Sequence, residues 1–163
     1  MQAFATLLAV LAIAQSALAG VYTTNPVATT SGTGGQVLTV NWADDGNTPT
    51  VGAVGPCSVD IYTGSRTSQF RLQNLAASVD VSKASSISAT IDPKIGANGP
   101  YYFVRFTSLS LKDSAMPQYN YQAYSARFTL TGMTGTFNAT VQDSINNINA
   151  TAVSLPYLPP ESH

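Results

Sequence analysis

From Gln36 onward, hydrophobic and polar residues alternate with a period of two. Leu38, Val40 and Trp42 alternate with Val37, Thr39 and Asn41. Cys57, Val59 and Ile61 then alternate with Ser58, Asp60 and Tyr62. Successive side chains of a strand point to opposite faces, so each set marks one buried face. The pattern returns in Phe70–Leu72, in Ile87–Ile91 and in Tyr101–Ser110, where Tyr102, Val104 and Phe106 oppose Phe103, Arg105 and Thr107. It predicts a further strand over Tyr124–Leu130, with Tyr124, Ala126, Phe128 and Leu130 on one face.

Turn residues punctuate these runs: Ala43-Asp44-Asp45-Gly46-Asn47, Gly55-Pro56, Gly64-Ser65, Ala97-Asn98-Gly99-Pro100 and Met116-Pro117. Asn74–Ser86 is the best helical candidate, but its β-branched residues and serines favour strand and loop. About seven short strands over about a hundred residues predict an all-β, immunoglobulin-like or fibronectin-type antiparallel β-sandwich. A small β-barrel is the rival. Trp42, Val59, Ile61, Val104, Phe106 and Phe128 are the predicted core between two sheets.

Both ends of the chain depart from this texture. Residues 1–19 hold an apolar run from Phe4 to Ala14 and the pattern Ala17-Leu18-Ala19. That reads as a signal peptide cleaved after Ala19. The run is shorter than the ~20 residues that span a bilayer, so the mature chain is expected to carry no transmembrane segment. Residues 20–131 form the expected domain, and 132–163 a glycosylated, Pro-ended tail, read as largely flexible. In that tail Phe137, Val141, Ile145 and Ile148 also have helix-like spacing, which leaves open a packed segment. Asn138-Ala-Thr140 and Asn149-Ala-Thr151 are N-glycosylation acceptors. The last residues, LPYLPPESH, are not the hydrophobic stretch of a GPI signal, so no lipid anchor is expected.

Composition narrows the chemistry. Only 9% of the 163 residues are charged, and the formal net charge is −1. Thr and Ser fill the deficit, at 19 and 17 residues. Nucleic acid, which needs a basic stripe, is not an expected partner. The only His is His163, so a Ser-His-Asp triad or a His/Cys zinc site finds no imidazole in the strand-forming body. No metal or cofactor is expected. A calcium site at Asp44-Asp45-Gly46-Asn47 lacks EF-hand spacing, and a plain turn is the better reading. Asp60 is expected to face outward with the other acids unclustered, which argues against a glycosidase. Cys57 has no intrachain partner. It is read as buried and unreactive, with an interchain disulfide as the alternative.

Aromatic residues give the binding hypothesis. Tyr62, Tyr101, Phe103, Tyr119 and Tyr121 are predicted on outward faces or in loops, where a ring can stack on the apolar face of a sugar. Tyr119 and Tyr121 come first, because Met116-Pro117 puts them near a loop. Packing under the loop Lys112–Asn120 or at the sandwich edges is the other use of these rings.

The order of features also carries a resemblance. A signal peptide precedes Val-Leu-Thr-Val-Asn-Trp at 37–42, then Val-Asp-Ile-Tyr at 59–62, Tyr-Tyr-Phe-Val-Arg-Phe at 101–106 and Tyr-Ser-Ala-Arg-Phe-Thr-Leu at 124–130. Over about residues 22–131 this resembles fungal Ser/Thr-rich, GPI-anchored cell-wall glycoproteins. Their N-terminal domain is shared with yeast proteins required for cell-wall β-1,6-glucan synthesis. The resemblance implies a sandwich, export and a place in the wall, and it supplies no catalytic residues. The resulting expectation is a secreted, non-catalytic cell-wall protein that binds β-glucan or another wall polysaccharide, or a wall protein. A secreted protein-interaction module without sugar affinity is the alternative.

Overall fold

The computed structural model describes residues 20–148. Two sheets pack face to face. The smaller has the order β1-β3-β6, with β1 Val21–Asn25, β3 Val37–Asp44 and β6 Ser86–Thr90. The larger has the order β2-β9-β7-β4-β5, with β2 Ser31–Thr33, β4 Pro56–Gly64, β5 Gln69–Asp80, β7 Gly99–Lys112 and β9 Phe128–Thr131. Strand β8, Asn120–Tyr124, pairs with the second half of β7, beyond the part that β9 covers. Pairing is antiparallel throughout except for β2 on β9, which is parallel.

The alternation read from the sequence is the one that buries the core. Val40, Trp42, Val59, Ile61, Val104, Phe106 and Phe128 lie between the sheets, all buried. Trp42 links the layers, since its ring meets Phe106 edge-on at 5.3 Å and its Nε1 donates to the Val81 carbonyl at 3.1 Å. Tyr102, at the start of β7, donates its hydroxyl to the Ala97 carbonyl in the preceding corner. That contact is the tyrosine corner of immunoglobulin-like sandwiches. Burial pushes the Tyr102 hydroxyl pKa upward. Cys57 is fully buried and free, and burial pushes its thiol up to about 12.

Three expectations change. First, the predicted strand over 124–130 is broken. The Ser125 hydroxyl takes the Val104 N–H at 2.8 Å, and Ser125–Arg127 leave the ladder. Phase slips by one residue there, so Tyr121 and Ala123 face the core before the break and Phe128 and Leu130 after it. Tyr124 and Ala126, expected inside, are exposed.

Second, Asp60 does lie on the outer face but is only 2% exposed. Arg71 Nε and Asn74 Nδ2 each donate to its Oδ1 at 2.7 Å.

Third, the segment after residue 131 is packed as far as it is described. After the one-turn helix α1, Val51–Val54, the second helix, α2, Ala139–Asn146, buries Val141 and Ile145 against β4, and Phe137 packs on the core. The helix-like spacing therefore prevails over the loose-tail reading through residue 148. The signal segment 1–19 and Asn149 lie outside the described residues.

Candidate functional site: an arginine and aromatic groove on the larger sheet

Strand register gathers the site. On the outer face of the larger sheet, Tyr62 of β4 pairs with Arg71 of β5 and with Phe103 of β7. One rung along, Asp60 pairs with Asn74 and with Arg105, and Arg105 pairs with Tyr124 of β8. The rings form a connected layer. Tyr62 stacks on Phe103 at 6.0 Å, and Phe103 meets Tyr124 at 6.0 Å.

Guanidinium groups cover this layer. Arg105 lies 3.9 Å above the centre of the Tyr62 ring, and Arg127 lies 5.0 Å from that of Phe103. Such cation–π placement is favourable, more so where water is excluded. Arg127 is also tied to backbone. It donates to the Gly64 carbonyl at 2.6 Å and to the Tyr101 carbonyl at 3.3 Å, clamping the end of β4 to β7. Burial pulls its pKa below the usual arginine value. Arginine titrates so high that the side chain stays charged. Arg105 donates to Gln69 at 3.1 Å, while its buried Nε has no partner.

Between these groups lies an open groove of about 270 Å³, lined by Phe103, Tyr124, Arg127, Gln69, Ser65 and Arg66 among others. Its size falls just below the ~300–1,000 Å³ typical of small-molecule pockets, which suits a short segment of a longer ligand. Tyr124 is 45% exposed at its wall. Arg66 stands in the turn between β4 and β5. Gly64 opens that turn at φ +106°, where a Cβ would lie 2.1 Å from the Ser68 carbonyl oxygen, so only glycine fits. Ser144 of α2 closes it, accepting from Ser65 N and donating to the Ser68 carbonyl, both at 2.9 Å. The helix thus fixes the loop that carries Arg66.

The tyrosines named from the sequence scatter. Tyr121 is 2% exposed and belongs to the core, where its hydroxyl accepts from Val21 N at 3.4 Å. Its expected loop position fails because β8 starts at Asn120 and points the next ring inward. Tyr62 lies on the predicted face but is only 6% exposed beneath Arg105. Phe103 is likewise covered. Tyr101 packs edge-on against Phe137 at 6.4 Å. Tyr119 remains exposed in the loop before β8, apart from the residues that line the groove. The structure therefore does not bring the four tyrosines together. Sequence reasoning missed Tyr124, Arg66, Gln69 and Arg127. The available signal was the cluster of Ser125 and two outward-phase rings, Phe103 and Tyr124, once the slip at Ser125 is allowed.

Other residues singled out from the sequence take local roles. Asp44 accepts from Gly46 N at 2.8 Å and Asp45 from Asn47 N at 2.9 Å, which is turn chemistry. Asn138 caps α2 by accepting from Val141 N at 2.9 Å, with its side chain exposed. Among the described residues no helix is long and apolar enough to cross a membrane.

Two sheets, a tyrosine corner and a parallel strand added at one edge define an immunoglobulin-like domain. Residues 25–130 match the family model of the Kre9/KNH-like N-terminal Ig-like domain, and the chain belongs to that family. The family is associated with the fungal cell wall and with β-1,6-glucan synthesis, and its Ig-like domain is not a known catalytic fold. No curated protein matches the chain.

Proposed function

We propose that this is a secreted, non-catalytic cell-wall protein that contributes to β-glucan assembly by holding wall glycan in the outer-face groove. A signal peptide over residues 1–19, removed after Ala19, exports the chain, and Asn138 and Asn149 carry N-glycans. The observation that carries the binding reading is the exposed Tyr124 ring beside Ser65, Arg66 and Gln69 in one groove. A ring stacks on the apolar face of a sugar, while the flanking polar groups hydrogen-bond its hydroxyls. The family's link to β-1,6-glucan supports that polymer as the first candidate. Tyr119, exposed on its loop, is an outlying contact and not the centre of the site.

A second reading is a protein-interaction module. It draws on β5, which lies at one end of the larger sheet's strand order over 12 residues and could add a partner strand.

Retention of the purified secreted protein on insoluble β-1,6-glucan, β-1,3-glucan, chitin and mannan separates the two. Selective retention on a glucan at moderate salt, weakened about five- to tenfold by Tyr124→Ala, is expected for loss of one stacking contact. Failure of the wild-type protein to bind any of the four would overturn the glycan reading and favour the partner strand.

A further inference from the structure

The chain has four arginines, Arg66, Arg71, Arg105 and Arg127, and three lysines. All four arginines gather on the outer face of the larger sheet or its rim. Among the described residues only Arg71 of these has a carboxylate in ion-pair range, Asp60 at 2.7 Å. Arg66, Arg105 and Arg127 thus leave positive charge uncompensated on one face of a protein whose net charge is −1. A neutral polymer needs no such concentration of guanidinium, because hydroxyls are recognised equally well by amides and carboxylates.

The geometry narrows this to one place. A second hollow, of about 450 Å³, adjoins the groove, and Ser65 and Arg66 line both. Ser65, Thr67, Ser68 and Thr140 supply hydroxyls there, the Ser144 proton being held by the Ser68 carbonyl, and among the described residues no Asp or Glu lines either hollow. Arg66 makes no hydrogen bond or ion pair among the described residues. Its loop is nevertheless held by the Ser144 bridge, so the guanidinium projects from a fixed base. A ring-lined hollow, a guanidinium and a hydroxyl-lined hollow therefore follow one another along one surface.

We propose that this surface takes a sugar unit that bears a phosphate, with the sugar against Tyr124 and the phosphate between Arg66 and the hydroxyls of the second hollow. Arginine with Ser and Thr hydroxyls is a standard donor set for phosphate oxygens. The inference rests on the groove being a glycan site and specifies which glycan unit it prefers.

The test is calorimetric titration of the purified secreted protein with glucose 6-phosphate, glucose and inorganic phosphate, at low and at about 0.5 M salt, beside the glucan retention assay. Glucose 6-phosphate is expected to bind at least about tenfold more tightly than either half alone, and to weaken with salt as screened charges do. Arg66→Gln, at an exposed position that makes no hydrogen bond or ion pair among the described residues, is expected to keep the melting temperature and lose that preference. Equal binding of inorganic phosphate and glucose 6-phosphate would overturn the inference in favour of a free phosphate. No phosphate preference with glucan retention intact would overturn it while leaving the glycan reading standing. Loss of both would overturn both, and an Arg66→Gln protein that still prefers the phosphate would remove Arg66 from the site.

Discussion

The guanidinium of Arg105 lies 3.9 Å above the Tyr62 ring, turning an outward-facing tyrosine into a buried one. Arg105→Ala removes the cover and the bond to Gln69. It is expected to cost about 1–2 kcal/mol in denaturant unfolding, the range for a desolvated cation–π contact. It should also make Tyr62 reactive to nitration. Unchanged stability with Tyr62 still protected would show that other groups cover the ring.

Tyr119 and Tyr121 stand two residues apart and should behave oppositely. Tyr121→Ala empties a core position and is expected to cost about 3–5 kcal/mol, as for other large buried rings. Tyr119→Ala is expected to stay within about 0.5 kcal/mol of wild type. Thermal melts of the two variants check this, and similar losses would contradict the placement of β8.

That contrast shows what could be read from the sequence. Period two located the inner faces of β3, β4 and β7 because those strands keep phase over the residues that pair. It failed at Ser125, where a side-chain hydroxyl replaces a ladder partner and shifts the next residues by one. Tyr124 is assigned to the core for that local reason, whereas Tyr121 is assigned to the surface because Met116-Pro117 suggests a loop where β8 has already begun at Asn120. Of the groove, only the outward phase of Phe103 was legible. Arg66 and Arg71 are far in the chain from Arg105 and Arg127, and they meet only through the β5-β4-β7 register and the closing turn. Helix α2 was legible in the spacing of Val141 and Ile145, but its polar surroundings obscured it.

Ser144 joins α2 to the turn of Arg66 through two hydrogen bonds. Ser144→Ala removes both and is expected to cost about 1–3 kcal/mol, at about 0.5–1.5 kcal/mol net for each hydrogen bond. Hydrogen exchange at the Ser65 amide should speed up, with the β7 amides unaffected. Exchange at Ser65 that does not change would mean that the turn holds itself.

Alkaline stability follows from Cys57. Its thiol titrates at about 12 when folded against 9.0 for the unperturbed group. Above pH 9 the unfolded chain therefore releases a proton that the folded chain keeps, and stability falls as pH rises toward about 12. One such group gives a slope of up to about 1.4 kcal/mol per pH unit. Burial raises Tyr102 and Tyr121 in the same direction, which steepens the loss above pH 10. Urea unfolding between pH 7 and 11 is expected to show this decline, with a shallower one in Cys57→Ala. Identical slopes in the two proteins would contradict the burial of the thiol.

The most direct test of the groove is amide chemical-shift mapping of the isotope-labelled protein titrated with a β-1,6-linked gluco-oligosaccharide. The expected result is a cluster of shifts at Gly64–Gln69, Phe103 and Tyr124–Arg127, absent in Tyr124→Ala. Shifts confined to the loop around Tyr119, or none at saturating ligand, would contradict the assignment of the binding site to the outer face of the larger sheet.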